Sequence, residues 1–178
     1  MRCVFFDIEA GGLKIPFDQV ICAAFKPYGE KPYVLARQAT DTNDKKLCKD
    51  IKKELEKYDI IIGYYSLDFD KPFVSGRLLK HGEKPLKRQL HIDCYRLAKK
   101  IFKYTTVSKR LISLCELLHI KGKTRVDFDK WEIFKYGTIA QKKKALKIIV
   151  PHCKWDVITL EEAFDKCFKH AIVSINLA

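Results

Sequence analysis

Two carboxylates near the start of the chain, Asp7 and Glu9, are separated by one residue and follow the apolar segment Cys3–Phe6. Side chains alternate between the two faces of a β-strand, so residues two apart point to the same side. Two like charges about 6–7 Å apart repel each other, and a buried strand gains nothing from them unless positive charge lies between. The pair therefore raises the question of which positive group lies between the two carboxylates.

A third carboxylate, Asp70, lies after the apolar segment Asp59–Gly63 and before a helical pattern that begins at about Lys71. The apolar segment is predicted to be a strand buried on both faces, and α/β folds place their chemistry at the C-terminal ends of such strands. An aspartate before a helix is more often an N-cap, so a structural role explains Asp70 equally well when it is taken alone.

His152 and Asp156 form the third candidate site, at positions i and i+4 of a helix predicted from Pro151 to about His170. Residues at this spacing lie side by side on one face of a helix. Such a pair is usually an exposed ion pair, but the surrounding residues here are apolar. The helix is therefore expected to pack against the core and to carry the pair with it.

In chain order these features are D-x-E on the first strand, F-D after an apolar strand and H-x3-D on a late helix. The combination resembles the DEDD (DnaQ-like) 3′–5′ exonucleases, a superfamily with a ribonuclease H-like fold. The segment IIGYYSLDFDKPFVSGRLL is similar to the second motif of the exonuclease domain of family B DNA polymerases, and stand-alone members of the tyrosine branch are similar as well. The resemblance extends from Asp7 to Asp156, nearly the whole chain.

The resemblance implies two divalent metal ions, Mg²⁺ or Mn²⁺, held by Asp7, Glu9, Asp70 and Asp156. Carboxylate oxygens suit these hard cations, and two such ions can activate a water and stabilise the leaving oxygen of an in-line displacement. In this scheme Asp7 bridges the two ions and Asp70 acts from the leaving-group side. Glu9 and Asp156 hold the ion that activates the water, and His152 takes the proton from that water.

The chain departs from the family pattern at two positions. The histidine branch spaces its base as H-x4-D, which would fall on Pro151, and the tyrosine branch uses Y-x3-D, so His152 stands at the tyrosine spacing. A histidine that only packs at the helix start is its alternative role. Tyr65 occupies the place where the polymerase branch commonly has asparagine, and its ring either stacks on a terminal base or packs internally.

Residues beside the expected acids are predicted to contact nucleic acid. The AGG segment after Glu9 allows a terminal nucleotide to approach the backbone closely, because glycine has no Cβ, although a simple turn explains the segment as well. The predicted contact residues are Ala10, Gly11, Gly12, Tyr65, Ser66 and Phe69.

The composition favours a polyanionic partner. There are 35 lysines and arginines against 22 aspartates and glutamates, a formal net charge of +13, which is typical of nucleic-acid-binding proteins; a lysine-rich proteome would also produce it. Scattered cysteines without a CxxC pair argue against a zinc knuckle, and no apolar run approaches the ~20 residues that span a bilayer. The protein is therefore expected to be soluble, intracellular and cytoplasmic, with reduced cysteines and no membrane partner.

The elements that must position these residues fit one α/β domain over residues 1–178. Strands are predicted at Cys3–Ile8, Val20–Phe25, Tyr33–Arg37, Asp59–Gly63 and Gln89–Ile92. Helices are predicted at Asp41–Tyr58, Lys71–His81, Cys94–Phe102, Ser108–Ile120, Thr138–Ile149 and Pro151–His170, with a polar loop at Lys121–Asp129. The expected fold is ribonuclease H-like: a mixed central sheet of about five strands, an antiparallel meander and then parallel strands, flanked by helices.

These features lead to one leading hypothesis and two alternatives. The leading hypothesis is a metal-dependent 3′–5′ exonuclease that hydrolyses phosphodiester bonds at the 3′ end of single-stranded nucleic acid, with DNA favoured over RNA. The alternatives are a structure-selective endonuclease or resolvase on a related fold, and a catalytically inactive nucleic-acid-binding module. Tyr65 and His152, where the chain departs from the family pattern, are the features that keep the inactive module open.

Overall fold

The computed structural model describes residues 1–102, 110–121, 126–127 and 129–169, which contain a five-stranded mixed sheet with helices on both faces. The sheet order is β3-β2-β1-β4-β5; the β1–β2 and β2–β3 pairs are antiparallel, and the β1–β4 and β4–β5 pairs are parallel. The predicted ribonuclease H-like α/β fold class is therefore confirmed. The strands are β1 (Cys3–Ala10), β2 (Val20–Pro27), β3 (Tyr33–Ala36), β4 (Ile60–Gly63) and β5 (Leu90–Asp93).

The helices divide between the two faces of the sheet. One apolar cluster contains buried residues of α1 and α2, and the other contains buried residues of α3, α4, α5 and α6. None of the described helices is both long enough and apolar enough to span a membrane. The helices are α1 (Lys45–Leu55), α2 (Asp70–Lys80), α3 (Cys94–Ile101), α4 (Leu111–Leu117), α5 (Asp129–Tyr136) and α6 (Ile139–Ala163), with a π-helical turn at Phe164–Phe168.

Helix α1 follows from its sequence period. Leu47, Ile51 and Leu55 recur every four residues, and all three are buried on the face shared with α2. The helix is shorter than predicted at both ends. At its start the side chains of Asp41 and Asn43 accept hydrogen bonds from nearby backbone N–H groups, an arrangement that competes with helix formation.

Helix α6 corrects one prediction. The sequence predicts a helix that ends at Ile149 and a second that begins at Pro151, but the structure has one continuous helix with Pro151 inside it. Proline removes the hydrogen bond to the carbonyl of Lys147, at a cost of ~3 kcal/mol or more. Both residues lie on the exposed side, where water can replace that bond. The buried stripe continues through the proline in register: Ala145, Ile149, Cys153, Val157 and Leu160.

Helix α5 is a second correction, because the sequence predicts only a loop at Lys121–Asp129 and no element before Thr138. Phe134 is the one residue of α5 that is buried, so the helix has no apolar stripe to reveal it. Residues 122–125 and 128 of that loop, and Ser108 of the helix predicted at Ser108–Ile120, lie outside the described residues. The remaining elements fall within a few residues of their predicted boundaries.

Candidate active site

Strand β1 carries Asp7 and Glu9 at the centre of the sheet. Phe5 is buried in the cluster that contains α6, and alternation places Asp7 and Glu9 on this same face. Across the β1–β2 ladder the partners of Asp7 and Glu9 are Ala24 and Cys22. Both partners are small, so no bulky neighbour on β2 covers the two carboxylates.

Helix α6 brings His152 and Asp156 to these carboxylates. His152 Nε2 lies 3.8 Å from Glu9 Oε1. Ligand atoms of Glu9, His152 and Asp156 all lie within 4.8 Å of one another. Cys153, the next residue of α6, places its Sγ 3.7 Å from Asp7 Oδ2. The structure thus joins the carboxylates of the first strand to the polar residues of the late helix.

Asp70 begins α2 and is turned inward onto β1. Its Oδ1 accepts a hydrogen bond of 2.8 Å from the backbone N–H of Ile8, between the two carboxylates of the strand. Burial raises the pKa of Asp70 to about 7, and the charges of Asp93 and Asp156 add to the rise, while the Ile8 hydrogen bond opposes it. We call Asp7, Glu9, Asp70 and Asp156 the acid cluster.

Two residues of this site, Trp131 and Cys153, are not among the residues predicted from sequence. Trp131 on α5 donates its indole N–H to Glu9 Oε2 at 2.8 Å and meets the His152 ring edge-on, with 6.0 Å between ring centroids. No spacing pattern links Trp131 to Glu9, because the two meet only through the packing of α5. Cys153 adjoins His152 in sequence, which is the signal that could have found it.

The donor set of the acid cluster fits a hard divalent cation. Its carboxylate oxygens are the ligands that Mg²⁺ and Mn²⁺ prefer. The raised pKa of Asp70 is the expected sign of carboxylates brought together in a desolvated place, and a bound cation would lower it. Cys153 lies within reach of Asp7 and Glu9 as well, but burial raises the pKa of its thiol well above the usual range and sulfur suits softer metals, so the carboxylates are the better match to Mg²⁺ or Mn²⁺.

A groove of about 520 Å³ begins at Glu9 and follows the end of β1. Ala10, Gly11 and Gly12 line it, and Phe69 lies on its wall, so four of the predicted contact residues border one groove. Gly12 is required by close packing, since an added Cβ would lie 2.4 Å from a carboxylate oxygen of the buried Asp18. The groove thus leads to Glu9 of the acid cluster.

The remaining two predicted contact residues, Tyr65 and Ser66, are adjacent in the loop after β4, but their surroundings differ. Tyr65 is 47% exposed, has a left-handed backbone with φ of 64°, and packs edge-on against Tyr95. Asp93 accepts hydrogen bonds from the N–H groups of Tyr65 and Leu67 and so holds this loop. Ser66 has no exposed surface, and its hydroxyl pairs with His91 Nε2 at 2.7 Å. The hydroxyl of Ser66 is thus engaged within the protein, and contact of Ser66 with nucleic acid stays a prediction.

Fold and site together define a ribonuclease H-like protein with a candidate metal centre, and the sequence comparison agrees. The RNase_H_2 family model, described as RNase_H superfamily, matches residues 4–167. The chain therefore belongs to the RNase H superfamily. No curated protein matches the chain significantly.

Among solved structures, the chain is similar to the family B DNA polymerase from the hyperthermophilic archaeon Pyrobaculum calidifontis. The TM-score is 0.68 at 20% sequence identity, and the match covers 92% of this chain. It covers 24% of the polymerase, so this chain corresponds to about a quarter of that protein. The expected resemblance to the ribonuclease H-like superfamily and to family B polymerases is confirmed, and at this identity it establishes the fold.

Proposed function

We propose that this chain is a metal-dependent 3′–5′ exonuclease that hydrolyses phosphodiester bonds at the 3′ end of single-stranded nucleic acid, with DNA favoured as the substrate. The observation that carries the proposal is the convergence of Glu9, His152 and Asp156, whose ligand atoms all lie within 4.8 Å of one another beside Asp7. Membership of the RNase H superfamily and the carboxylate donors support a nuclease. The 3′–5′ polarity rests on the motif resemblance.

The four carboxylates of the acid cluster would hold two divalent ions, Mg²⁺ or Mn²⁺. When bound, such ions supply an activated water and stabilise the charge that develops on the leaving oxygen. The like charges of Asp7 and Glu9 are then tolerated on one strand face because the metal charge offsets their repulsion.

His152 is the proposed general base, despite its unusual spacing from Asp156. A neutral imidazole accepts a proton near neutral pH without large tuning. Glu9 Oε1 lies 3.8 Å from His152 Nε2 and would stabilise the imidazolium that forms. Trp131 holds the other oxygen of Glu9 and so keeps Oε1 turned toward the histidine.

The proposed substrate path uses the groove at the end of β1. Its wall of Ala10, Gly11 and Gly12 leaves the backbone open to a terminal nucleotide. Tyr65 is exposed in the loop after β4, and its ring would stack on a base there, an interaction of about 1–3 kcal/mol. The net charge of +13 favours a polyanionic chain.

Residues 1–178 are proposed to form one domain that carries the whole acid cluster. A location inside the cell, in the cytoplasm, stays a prediction from sequence.

The test is cleavage of a 5′-labelled single-stranded oligonucleotide by the purified chain with Mn²⁺. The proposal predicts products that shorten one nucleotide at a time from the 3′ end, and no cleavage of a circular single strand. Asp7→Asn should lower the rate by roughly 10²-fold or more, the scale of losing one group that stabilises transition-state charge. Asp50→Asn is the matched control, since this carboxylate pairs with Lys46 on the surface of α1.

Three results would each contradict the proposal. Full activity of Asp7→Asn would show that the acid cluster is not the site of cleavage. Cuts in the circular strand would favour the endonuclease alternative, because an exonuclease has no end on which to start. Tight, salt-sensitive binding without any product at any metal concentration would favour the inactive binding module.

A further inference from the structure

A second cavity, of about 240 Å³, lies apart from the acid cluster, between the start of β2, the segment after β3 and helices α5 and α6. We call it the Arg37 cavity. The groups that matter for its chemistry are Gln19, Arg37, Asp41, Phe134, Lys135 and Lys142.

Arg37 is the buried charge of this cavity. The residue is 9% exposed, its Nη2 donates to the backbone carbonyl of Asp41 at 2.7 Å, and its guanidinium lies 5.3 Å from the ring centroid of Phe134. Its Nε is buried and has no hydrogen-bond partner within the described part of the chain. The guanidinium forms no ion pair there either. A buried arginine without a carboxylate is uncommon, because burying a charge is costly unless it is paired.

Arg77, the other buried arginine nearby, has the carboxylate ion pair that Arg37 lacks. Arg77 donates from Nε and Nη2 to the two oxygens of Asp44, at 2.9 and 2.7 Å. His81 also bonds to Asp44, so that carboxylate is already committed. Arg37 feels the charges of Asp44 and Asp41 but forms no ion pair with either, so its charge is only partly compensated among the described residues.

Gln19 supplies a second unsatisfied group to the same cavity. Its Oε1 is buried and has no partner among the described residues. Buried polar atoms without a hydrogen bond are uncommon, and these two belong to residues that line the same cavity. A carboxamide presents either its oxygen or its NH2 group after a simple rotation. Gln19 can thus accept from a ligand hydroxyl or donate to a ligand oxygen.

The charges around the cavity favour an anionic ligand. Lys142 is half-buried on its wall, and Lys135 lies beside it, paired with Asp18. The carboxylate of Asp41 also lines the cavity, but one of its oxygens accepts from the backbone N–H of Gln38. Positive charge therefore exceeds negative charge, and the cavity is too small for a ligand of drug size.

We propose that the Arg37 cavity binds a phosphate group, held by the positive charges of Arg37 and Lys142, with Gln19 as a further partner; all three residues line the cavity. Planar guanidinium groups suit phosphate oxygens, and the ring of Phe134 holds this one in place. The phosphate comes either from solution or from a nucleic-acid strand. Gly11 lines both this cavity and the groove that begins at Glu9, so a strand in the groove passes beside the cavity. Only the strand as source rests on the proposed function.

The test is binding, measured on the whole metal-free chain, so that it does not depend on cleavage. Calorimetry with inorganic phosphate detects a ligand from solution, and fluorescence anisotropy with labelled oligonucleotides of increasing length detects a strand. Arg37→Gln should raise the dissociation constant about tenfold, the value of one charge-assisted contact. Lys142→Gln should raise it about threefold or more.

Lys143→Gln is the matched control, because it removes the same charge from the adjacent, exposed position of α6 outside the cavity. Phosphate binding that Lys142→Gln weakens and Lys143→Gln does not supports the cavity with phosphate from solution. The same difference seen only with oligonucleotides supports the strand as source. If Lys142→Gln matches Lys143→Gln for both probes, the cavity holds only water and the proposal is overturned. This comparison still decides if Arg37→Gln fails to fold.

Failure of the two proposals can be told apart. An exonuclease site elsewhere in the chain would appear as full activity of Asp7→Asn, and phosphate binding to the Arg37 cavity would persist. Loss of the cavity proposal leaves the acid cluster and its cleavage assay untouched.

Discussion

Asp44 and the acid cluster both place carboxylates in the interior of the protein, in opposite electrostatic surroundings. Asp44 has no exposed surface and accepts hydrogen bonds from Arg77, His81 and the backbone N–H of Val20. In the acid cluster, Asp70 is equally enclosed, but its largest electrostatic neighbours are other carboxylates.

The two pKa values differ for this reason. Burial alone would raise the pKa of Asp44, but the hydrogen bonds from Arg77 and His81 outweigh it, and the net pKa is lowered. Burial raises the pKa of Asp70 to about 7, and nearby negative charges add to it. The structural acid Asp44 is paired with a cationic side chain of the protein, whereas we expect the acid cluster to bind a cation from solution.

The largest expected effect comes from removing the cation of the structural acid. Arg77→Met leaves Asp44 buried without its main partner, which should lower the free energy of unfolding by about 3–5 kcal/mol. Chemical denaturation measures this change. Arg88→Met, the same substitution at an exposed arginine, should have little effect. A loss of stability in Arg77→Met no greater than in that control would show that Asp44 does not need its cation.

Removing a carboxylate from the acid cluster should lower the cleavage rate without lowering the stability. Asp156→Asn should lower the cleavage rate by roughly 10²–10³-fold, because a ligand of the proposed metal centre is lost. Without metal, the free energy of unfolding should stay unchanged or rise, since one of several like charges is gone. Cleavage assays and denaturation in EDTA give the two readouts. Destabilisation by several kcal/mol would mean that Asp156 is a structural acid like Asp44.

Metal should stabilise the acid cluster directly. Mn²⁺ at 100 times its dissociation constant should raise the free energy of unfolding by about 2.7 kcal/mol, as mass action requires for one site. The shift should disappear in Asp7→Asn and persist in Asp50→Asn. An equal shift in both variants would place the bound metal outside the cluster.

The pH dependence of the metal-free protein should separate the two acids. For Asp70, whose pKa is raised from 3.8 to about 7, the stabilising contribution is present below pH 3.8 and is lost as the pH rises through about 7. For Asp44, whose pKa is lowered, the contribution is present above pH 3.8 and is lost as the pH falls through its folded value.

Denaturation in EDTA from about pH 2 to 8 measures both slopes, because the change for Asp44 lies below pH 3.8. Between pH 5 and 8 the wild type should lose about 2 kcal/mol of stability relative to Asp70→Asn. Asp44→Asn supplies the contrast, because its stability relative to wild type should change only at the acid end. Parallel curves for wild type and Asp70→Asn would contradict the raised pKa.

The smallest expected effect concerns the orientation of Glu9. Trp131→Phe keeps an aromatic ring but removes the N–H that binds Glu9, which should lower the cleavage rate about tenfold, as for other groups that orient a metal ligand. The rate should fall with little change in stability. Trp155→Phe, on the exposed side of α6, is the matched control, and equal rates for the two variants would remove the orienting role.

Local pattern predicted most of the fold. The four-residue period of Leu47, Ile51 and Leu55 predicted α1, and the turn residues between apolar runs predicted the strands. Helix α5 was not predicted, because Phe134 is its one buried residue. The predicted helix break at Pro151 was wrong, because the buried apolar residues on either side of the proline stabilise one continuous helix by more than the lost hydrogen bond costs.

The sequence by itself determined which residue types could hold a cation and the order in which Asp7, Glu9, Asp70, His152 and Asp156 occur along the chain. Strand alternation even fixed that Asp7 and Glu9 share a face, because it follows from backbone geometry alone. Only the tertiary structure decided that α6 lies over that face, that Trp131 reaches Glu9 and that Arg37 is buried without an ion pair to any described residue. These depend on contacts between distant segments, and such contacts have no spacing in the sequence.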